Sequence, residues 1–226
     1  MSLTKKLEEI RFNIARAQEK SGNQNSVEIV GVTKTHPFSF IEESYRVGLR
    51  SVGENRIQEA NIKFESFEKM PKLNKRFIGH LQSNKAKKCV ELFDSIDSID
   101  SIKTLRKVGK YSKELKKDIS ILIEINTSGE SQKHGFLPSK KEEILECFLE
   151  QDLSIDGLMT VGPRTSNKNK IRKSFCLLRE IKEWIESEGK IKLKHLSMGM
   201  SGDYEVAVEE GSTMVRLGSL LYGSRI

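Results

Sequence analysis

Short apolar runs rich in β-branched residues alternate with longer charged runs of helical periodicity along the whole chain. The apolar runs predict eight strands, at residues 27–33, 49–54, 76–80, 93–99, 119–125, 155–161, 194–198 and 214–218. The runs between them predict helices at residues 38–47, 55–69, 83–92, 101–117, 139–150, 168–188 and 203–210. One more helix is predicted near the start of the chain, where five apolar side chains follow a helical spacing: Leu3, Leu7, Ile10, Ile14 and Ala17.

The order of these elements predicts the fold class. Several strands, 119–125 above all, are apolar on both faces, as expected when helices cover both sides of a parallel sheet. Eight strands separated by helices favour an α/β fold, a single (β/α)8 TIM-type barrel with an extra N-terminal helix. A doubly wound open sheet is the alternative. No Gly/Ser-rich tract or shift of composition divides residues 1–226, so we expect one domain.

Composition narrows the class of protein. Hydrophobic residues make up 36% and charged residues 31%, which is typical of a folded chain with a core. The charged N-terminal segment is unlike a signal peptide, and no apolar run reaches the roughly 18 residues that span a membrane. We therefore expect a cytoplasmic protein without a membrane partner. Cys89, Cys147 and Cys176 are scattered, and we interpret them as reduced and structural.

The net charge of +7 indicates attraction for small anions, phosphate included. The densest basic run, residues 85–88, lacks the interleaved aromatic side chains of single-strand binders, so no nucleic acid partner is expected. The acidic residues of 94–101 do not follow the spacing of a calcium loop. The histidines show no ligand spacing either, and no metal is expected. His80, at a strand end, is a secondary candidate for the mouth of the barrel.

Lys34 is the first candidate for chemistry, because reactive groups in such barrels lie at the C-terminal ends of strands. Alternation places Val30, Val32 and Lys34 on one face of the first strand. If the valines face the interior, the lysine does too, and partial desolvation makes its amine a better nucleophile toward carbonyls. The alternative is a solvated lysine just beyond the strand.

Arg216 is the second candidate, since it stands between Val215 and Leu217 in an apolar strand. A buried guanidinium is costly without a partner, which is either a structural carboxylate or a ligand. Loops 197–203 and 218–224 follow the last two strands and are rich in Gly and Ser, which suits phosphate binding. The second loop resembles a P-loop only superficially, because it lacks the Lys-Ser/Thr pair.

A lysine directed into a barrel, a phosphate-type loop and a buried arginine together suggest a phosphorylated aldehyde held at both ends. Pyridoxal 5′-phosphate meets these three needs. It would form a Schiff base with Lys34, place its phosphate on Ser201 and nearby backbone groups, and direct its pyridine nitrogen at Arg216.

Six segments carry a resemblance to a known family: GVTKTHP (31–37), VGENRIQEA (52–60), FIGHLQSNK (77–85), INTSGESQKHGF (125–136), GLMTVGP (157–163) and LSMGMSGDYEVAVEEGSTMVRLGSLLYGSR (196–225). In these segments the chain resembles the pyridoxal phosphate homeostasis proteins, single-domain relatives of the bacterial alanine racemase barrel. The match covers nearly the whole chain in order. His36 and Asp97 depart from residues common in the family.

The resemblance implies a set of cofactor-binding residues: Lys34 for the Schiff base, Arg216 at the ring nitrogen, Ser201, Gly218 and Ser219 at the phosphate, and Asn55 and Met198 flanking the cofactor. Lys133 resembles a second functional lysine near the mouth, a transient acceptor of cofactor. An ordinary exposed loop lysine is the alternative for that position.

An arginine at the pyridine nitrogen disfavours protonation of that nitrogen and makes the cofactor a poor electron sink. Racemases of the related barrel add a tyrosine base from a further β domain, and no such domain is expected after residues 214–226. We therefore predict no catalytic residue, but a monomeric protein that buffers pyridoxal 5′-phosphate or delivers it to apo-enzymes. The alternatives are a low-activity amino-acid racemase, with Tyr222 as a candidate acid–base group, and a Schiff-base aldolase using Glu54.

Overall fold

The computed structural model describes residues 1–64, 70–150 and 153–223. Eight parallel strands in this part of the chain close into a barrel in sequence order, with the last strand paired to the first. The strands are β1 (Glu28–Val32), β2 (Ser51–Glu54), β3 (Asn74–Phe77), β4 (Ser95–Ile99), β5 (Ser120–Glu124), β6 (Ser154–Met159), β7 (His195–Ser197) and β8 (Met214–Leu217). The predicted (β/α)8 barrel is confirmed, and the open sheet is excluded.

Helices connect the strands on the outside of the barrel. They are α1 (Leu3–Ser21), α2 (Phe38–Arg46), α3 (Ile57–Lys63), α4 (Ala86–Leu92), α5 (Ile102–Leu115), α6 (Lys141–Phe148), α7 (Lys168–Gly189), α8 (Tyr204–Glu209) and α9 (Ser219–Tyr222). A 3-10 turn at Ser83–Lys85 precedes α4. No helix in the described ranges has both the length and the apolar character needed to cross a membrane.

Most predicted bounds agree with the structure to within a few residues, with two informative differences. The strand predicted at 76–80 lies at Asn74–Phe77. Its first residues are polar, because the barrel interior is polar at this level, so the apolar pattern placed the start of the strand too late. The segment after β8, predicted as a loop, contains the short helix α9. Residues 65–69 of the helix predicted at 55–69 lie outside the described residues, as does Ser224 of the predicted loop 218–224.

The barrel interior is layered along its axis. Val30, Leu122, Met159 and Met214 form an apolar cluster in its middle. Toward the N-terminal ends of the strands, a charged layer contains the buried Arg76, whose guanidinium donates to Asp97 and Ser95. Side chains alternate between the inside and the outside of the barrel along each strand, so the inward-facing residues that follow the apolar layer lie at the C-terminal mouth. Lys34 follows Val30 on the inward-facing side of β1, and Arg216 follows Met214 on that of β8. Both side chains are therefore directed toward the same end of the barrel.

Helix α1 covers the outside of the junction between β8 and β1. Its apolar stripe packs in one cluster with Val215, Leu217 and Leu221, and Lys6 Nζ donates to the Leu221 carbonyl at 2.8 Å. The Ser2 hydroxyl caps the start of the helix, and Gly22 at φ 72° ends it in the left-handed region. The N-terminal helix therefore secures the closure of the barrel.

Candidate functional site

A cavity of about 440 Å³ opens at the C-terminal end of the barrel. Its lining combines residues of β1 and β8 with residues that follow β1, β3, β6, β7 and β8: Val32, Lys34, His36, Ile78, Val161, Met200, Ser201, Gly202, Arg216, Gly218, Ser219 and Gly223. The structure thus brings five of the predicted binding residues to one cavity, namely Lys34, Ser201, Arg216, Gly218 and Ser219. Their binding roles stay predictions.

Lys34 enters the cavity from a sharply turned segment. It follows the inward-facing Val32, and its side chain is partly buried. The next residue, Thr35, has φ 67°, a left-handed conformation that is rare for a β-branched residue. The Thr35 amide donates to Glu59 Oε1 at 2.5 Å, which ties this turn to α3. The backbone around Lys34 is therefore held in place by contacts from outside the cavity.

Glu54 helps to hold the same strand end and lies outside the cavity lining. Its carboxylate is fully buried, and Oε1 accepts from Thr33 Oγ1 at 2.7 Å and from Lys63 Nζ at 2.8 Å. Burial raises the pKa of Glu54, while Lys63 and Thr33 oppose the shift. Because Lys63 Nζ also donates to the Thr33 carbonyl, the group fastens β1 to β2 and α3. The aldolase interpretation thereby loses its proposed proton shuttle.

Arg216 is a buried cation whose partners are neutral. Its Nη1 donates to Ser197 Oγ and its Nη2 to the Thr160 carbonyl, both at 2.7 Å. Among the described residues, no carboxylate lies within ion-pairing distance of the guanidinium. Burial lowers the pKa of Arg216, although more distant carboxylates such as Asp97 and Glu124 oppose this shift. Of the two partners considered for Arg216 from the sequence, a structural carboxylate or a ligand, the described residues do not supply the carboxylate.

The loops after β7 and β8 form one connected wall of the cavity. Ser201 Oγ accepts from the Leu220 amide at 3.2 Å, and the Arg216 amide donates to the Gly199 carbonyl at 2.9 Å. Gly199 has φ 99°, and a Cβ there would lie 2.6 Å from the Ala207 Cβ. Only glycine fits this turn without displacement. The wall offers hydroxyl and backbone N–H groups of small residues, which is chemistry suited to a phosphate.

Met198 and Asn55, predicted to flank a cofactor, lie outside the cavity lining, and that role stays a prediction. Met198 is fully buried in the core between barrel and helices, because the preceding Ser197 faces inward to Arg216. Met200 lines the cavity in its stead. Asn55 is half-buried outside the lining, and its Oδ1 is buried without a hydrogen-bond donor among the described residues.

Tyr222 lies behind the cavity wall on the outer face of β1. Its hydroxyl is 2.7 Å from Ser44 Oγ, and burial raises its pKa to about 12. The Tyr222 ring contacts His36 with centroids 5.5 Å apart, and a Cβ on Gly31 would overlap the tyrosine hydroxyl. Tyr222 therefore supports the cavity residue His36, and the acid–base role considered for it is not supported.

Lys133 braces the opposite wall. Its Nζ donates to the Gly162 carbonyl at 2.5 Å and to the Val161 carbonyl at 3.3 Å, and pairs with Glu130 Oε2 at 2.5 Å. Val161 lines the cavity, whereas Lys133 lies outside the lining. In this structure Lys133 is thus neither an exposed loop lysine nor a group directed at the cavity.

The sequence did not predict two features of the mouth, the cluster around His80 and the buried carboxyl group of Glu124. His80 lies at the rim but not in the cavity lining, and it forms a cluster with Asp100 and His134. These three residues have no ligand spacing along the chain, and the fold alone brings them together. Glu124 ends β5, and burial raises its pKa to about 7 although Arg216 opposes the shift. Their positions in the sequence could have indicated that they meet, since each residue ends or follows one of the neighbouring strands β3, β4 and β5: His80, Asp100, Glu124 and His134.

Comparisons with known proteins agree with this geometry. Residues 6–226 match the family model described as alanine racemase, N-terminal domain. A pyridoxal phosphate homeostasis protein of Aquifex aeolicus is 38% identical over 229 residues, covering 100% of this chain and 99% of the relative. A relative of the same name from Synechocystis is 38% identical over 202 residues, covering 89% of this chain and 93% of that protein.

Solved structures extend the comparison. PipY of Synechococcus elongatus, described with PLP bound, is 31% identical with a TM-score of 0.85, and the match covers 98% of this chain and 100% of PipY. An alanine racemase of Clostridium difficile, 18% identical with a TM-score of 0.75, shares the barrel fold over 96% of this chain and 57% of the racemase. The chain belongs to the alanine racemase N-terminal domain family and, within it, to the pyridoxal phosphate homeostasis proteins.

Proposed function

We propose that this chain is a cytoplasmic, monomeric protein of vitamin B6 homeostasis that holds pyridoxal 5′-phosphate as a Schiff base on Lys34, for buffering or for delivery to apo-enzymes. One observation carries the proposal: Lys34 shares a cavity with the buried Arg216, whose hydrogen-bond partners are neutral oxygens. The names of its relatives and the PLP-bound PipY structure support the choice of ligand.

The residues of the cavity fit the two ends of this cofactor. The Lys34 amine would condense with the aldehyde, forming a C=N bond and releasing one water, and the reverse reaction with water would free the cofactor. Ser201, Gly218 and Ser219 would hold the phosphate, because they supply a hydroxyl and backbone N–H groups on the cross-linked wall. Reversible covalent attachment combined with a phosphate anchor suits storage and transfer.

Arg216 supports holding over catalysis. The bound cofactor supplies a reactive carbonyl and a conjugated ring that can accept electrons. A guanidinium beside the ring nitrogen disfavours protonation of that nitrogen, because two positive charges would meet at short range. The contacts to Ser197 and Thr160 keep Arg216 from turning away. The ring would therefore stabilise a substrate carbanion poorly.

The choice of proton-transfer groups supports the same conclusion. Among the described residues that line the cavity, the titratable side chains are Lys34, His36 and Arg216. Glu54 and Tyr222 are engaged elsewhere, by Lys63 and Ser44 respectively. A racemase needs a second base opposite the lysine, and His36 is the group it would have to use.

Absorption spectroscopy tests the attachment. Full-length protein loaded with pyridoxal 5′-phosphate should show a visible band that disappears in Lys34→Ala, because only an amine on the cofactor's aldehyde produces it. Lys133→Ala is the matched control, since it removes a neighbouring lysine outside the cavity lining, and it should keep the band. An equal band in Lys34→Ala would refute the assignment.

Two further assays separate holding from catalysis. Loaded protein should restore activity to an apo-enzyme in the presence of a scavenger that removes free cofactor. It should also leave the α-hydrogen of alanine essentially unexchanged in D₂O. Exchange at ordinary enzymatic rates that is lost in His36→Asn would replace the proposal with the racemase alternative.

A further inference from the structure

Three side chains from successive barrel loops meet at the C-terminal rim. His80 follows β3, Asp100 directly follows β4, and His134 lies in the loop after β5. One ligand atom from each of the three lies within 4.8 Å of the other two. The parallel order of the strands creates this meeting, because it delivers the C-terminal ends of β3, β4 and β5 to one arc of the rim.

The two imidazoles are oriented toward a single carboxylate oxygen. His80 Nδ1 lies 2.9 Å and His134 Nδ1 3.9 Å from Asp100 Oδ2. The rings stack with centroids 3.7 Å apart and planes at 10°. The two rings and the carboxylate therefore present their ligand atoms to one small volume at the rim.

The close approach of His80 to Asp100 accounts for only part of this geometry. It involves one imidazole and one carboxylate oxygen, while His134 Nδ1 lies near the same oxygen but beyond hydrogen-bonding distance. One cation bound by the three atoms would use both nitrogens and the carboxylate together. Two imidazoles and one carboxylate form a donor set that zinc and similar divalent transition ions prefer over magnesium or calcium.

The three ligands are supported by contacts behind them. Ser98 Oγ donates to the Gly79 carbonyl beside His80. Asp100 precedes Ser101, whose hydroxyl caps α5 by accepting from the Thr104 amide. The Asn126 side-chain amide donates to the Lys133 carbonyl, adjacent to His134. Such contacts hold metal ligands near a productive geometry.

We propose that His80, Asp100 and His134 form a binding site for one divalent transition ion of the zinc type on the rim of the barrel. The side chains of His80 and His134 are 39% and 53% exposed, so the ion enters from solvent and keeps a coordination position open to water. None of the three residues lines the cavity of Lys34, and the site is independent of the function proposed above.

Calorimetric titration of the metal-stripped, cofactor-free full chain with ZnCl₂ tests the site. We expect one ion per chain in the wild type and at least about tenfold weaker binding in His134→Ala and in Asp100→Asn. His134 is more than half exposed, so its replacement leaves the fold intact, as circular dichroism would verify. Absence of zinc binding in the wild type, or unchanged affinity in His134→Ala, overturns the proposal.

Two control variants address other carboxylates and thiols. Asp118→Asn removes an exposed carboxylate that precedes β5 at the opposite end of the barrel, and Cys176→Ser removes the half-exposed thiol. Both should bind zinc like the wild type, and loss of binding in either would place the ion elsewhere. Lys34→Ala should also bind zinc normally, so failure of the cofactor proposal and failure of this one are distinguishable.

Discussion

Two buried arginines inside one barrel should respond very differently to the same substitution by methionine. Arg76 and Arg216 are only 2% and 4% exposed. Arg76 Nη1 donates to both carboxylate oxygens of Asp97, at 2.8 and 3.0 Å, whereas Arg216 donates to neutral oxygens. Burial acts to lower the pKa of each arginine. For Arg76, attraction to Asp97 and Glu28 outweighs burial and raises its pKa above the ordinary value, whereas the pKa of Arg216 stays lowered.

The free energy of unfolding should reflect this difference. Arg76→Met leaves the fully buried Asp97 without its cation, and breaking a buried pair in this way costs about 3–5 kcal/mol. Arg216→Met loses two charged hydrogen bonds of about 1.5–3 kcal/mol each. It also removes a desolvation penalty of several kcal/mol for a buried ion, which is of similar size. We expect Arg216→Met to change stability by no more than about 1–2 kcal/mol.

Denaturant unfolding of the two cofactor-free variants, followed by Trp184 fluorescence and far-UV circular dichroism, measures both free energies. A ligand that binds the folded state stabilises it by an amount that grows with its affinity. Adding pyridoxal 5′-phosphate should therefore stabilise the wild type more than Arg216→Met, which lacks the arginine proposed to face the ring nitrogen. An Arg216→Met loss equal to that of Arg76→Met would refute the reasoning, since it would mean that Arg216 is a structural residue.

Three further predictions address the rest of the mouth. Burial raises the pKa of Glu124 from 4.5 to about 7, so the wild type should lose stability as the pH rises between these values. At about pH 8, Glu124→Gln should be more stable than the wild type by on the order of 3 kcal/mol in thermal or denaturant unfolding, and this difference should vanish near pH 4. Gly31→Ala should cost about 1–3 kcal/mol of unfolding free energy because its Cβ overlaps the Tyr222 hydroxyl, and a Tyr222→Phe background should relieve most of that cost. Borohydride reduction of the loaded protein followed by peptide mapping should label Lys34 and not Lys133, whose amine is engaged by carbonyl groups; label on Lys133 would restore its role as a transient acceptor.

The convergence of Lys34 and Arg216 could be predicted from the sequence because it depends on two regular properties. Alternation along a strand assigns a face to each side chain, and parallel strands deliver their C-terminal ends to one rim. Val30 in the interior cluster fixes the phase of β1, and the Arg216 bond to Ser197 fixes that of β8. The first property is local to a strand, and the second follows from the fold class, so neither requires knowledge of an individual tertiary contact.

What the sequence did not predict concerns residues whose placement depends on details beyond that alternation. Met198 follows a strand of three residues, and the inward position of Ser197 sends it outward. Tyr222 packs on β1 because Gly31 leaves room for its hydroxyl, a pairing that joins opposite ends of the chain. His80 and His134 are far apart in sequence, and only the closed barrel makes them neighbours.

The position of helix α1 has a consequence for folding during synthesis. Its apolar stripe is synthesised before every strand of the barrel, whereas Val215, Leu217 and Leu221, which pack against it, are synthesised after the first seven strands. Until β8 has been synthesised, the stripe therefore lacks its contacts with Val215, Leu217 and Leu221, although Ile29 and Leu49 of the same cluster are already present. The same late segment supplies Ser219 to the cavity wall. Closure of the barrel and the Ser219 part of the cavity wall therefore both require the segment from β8 to α9.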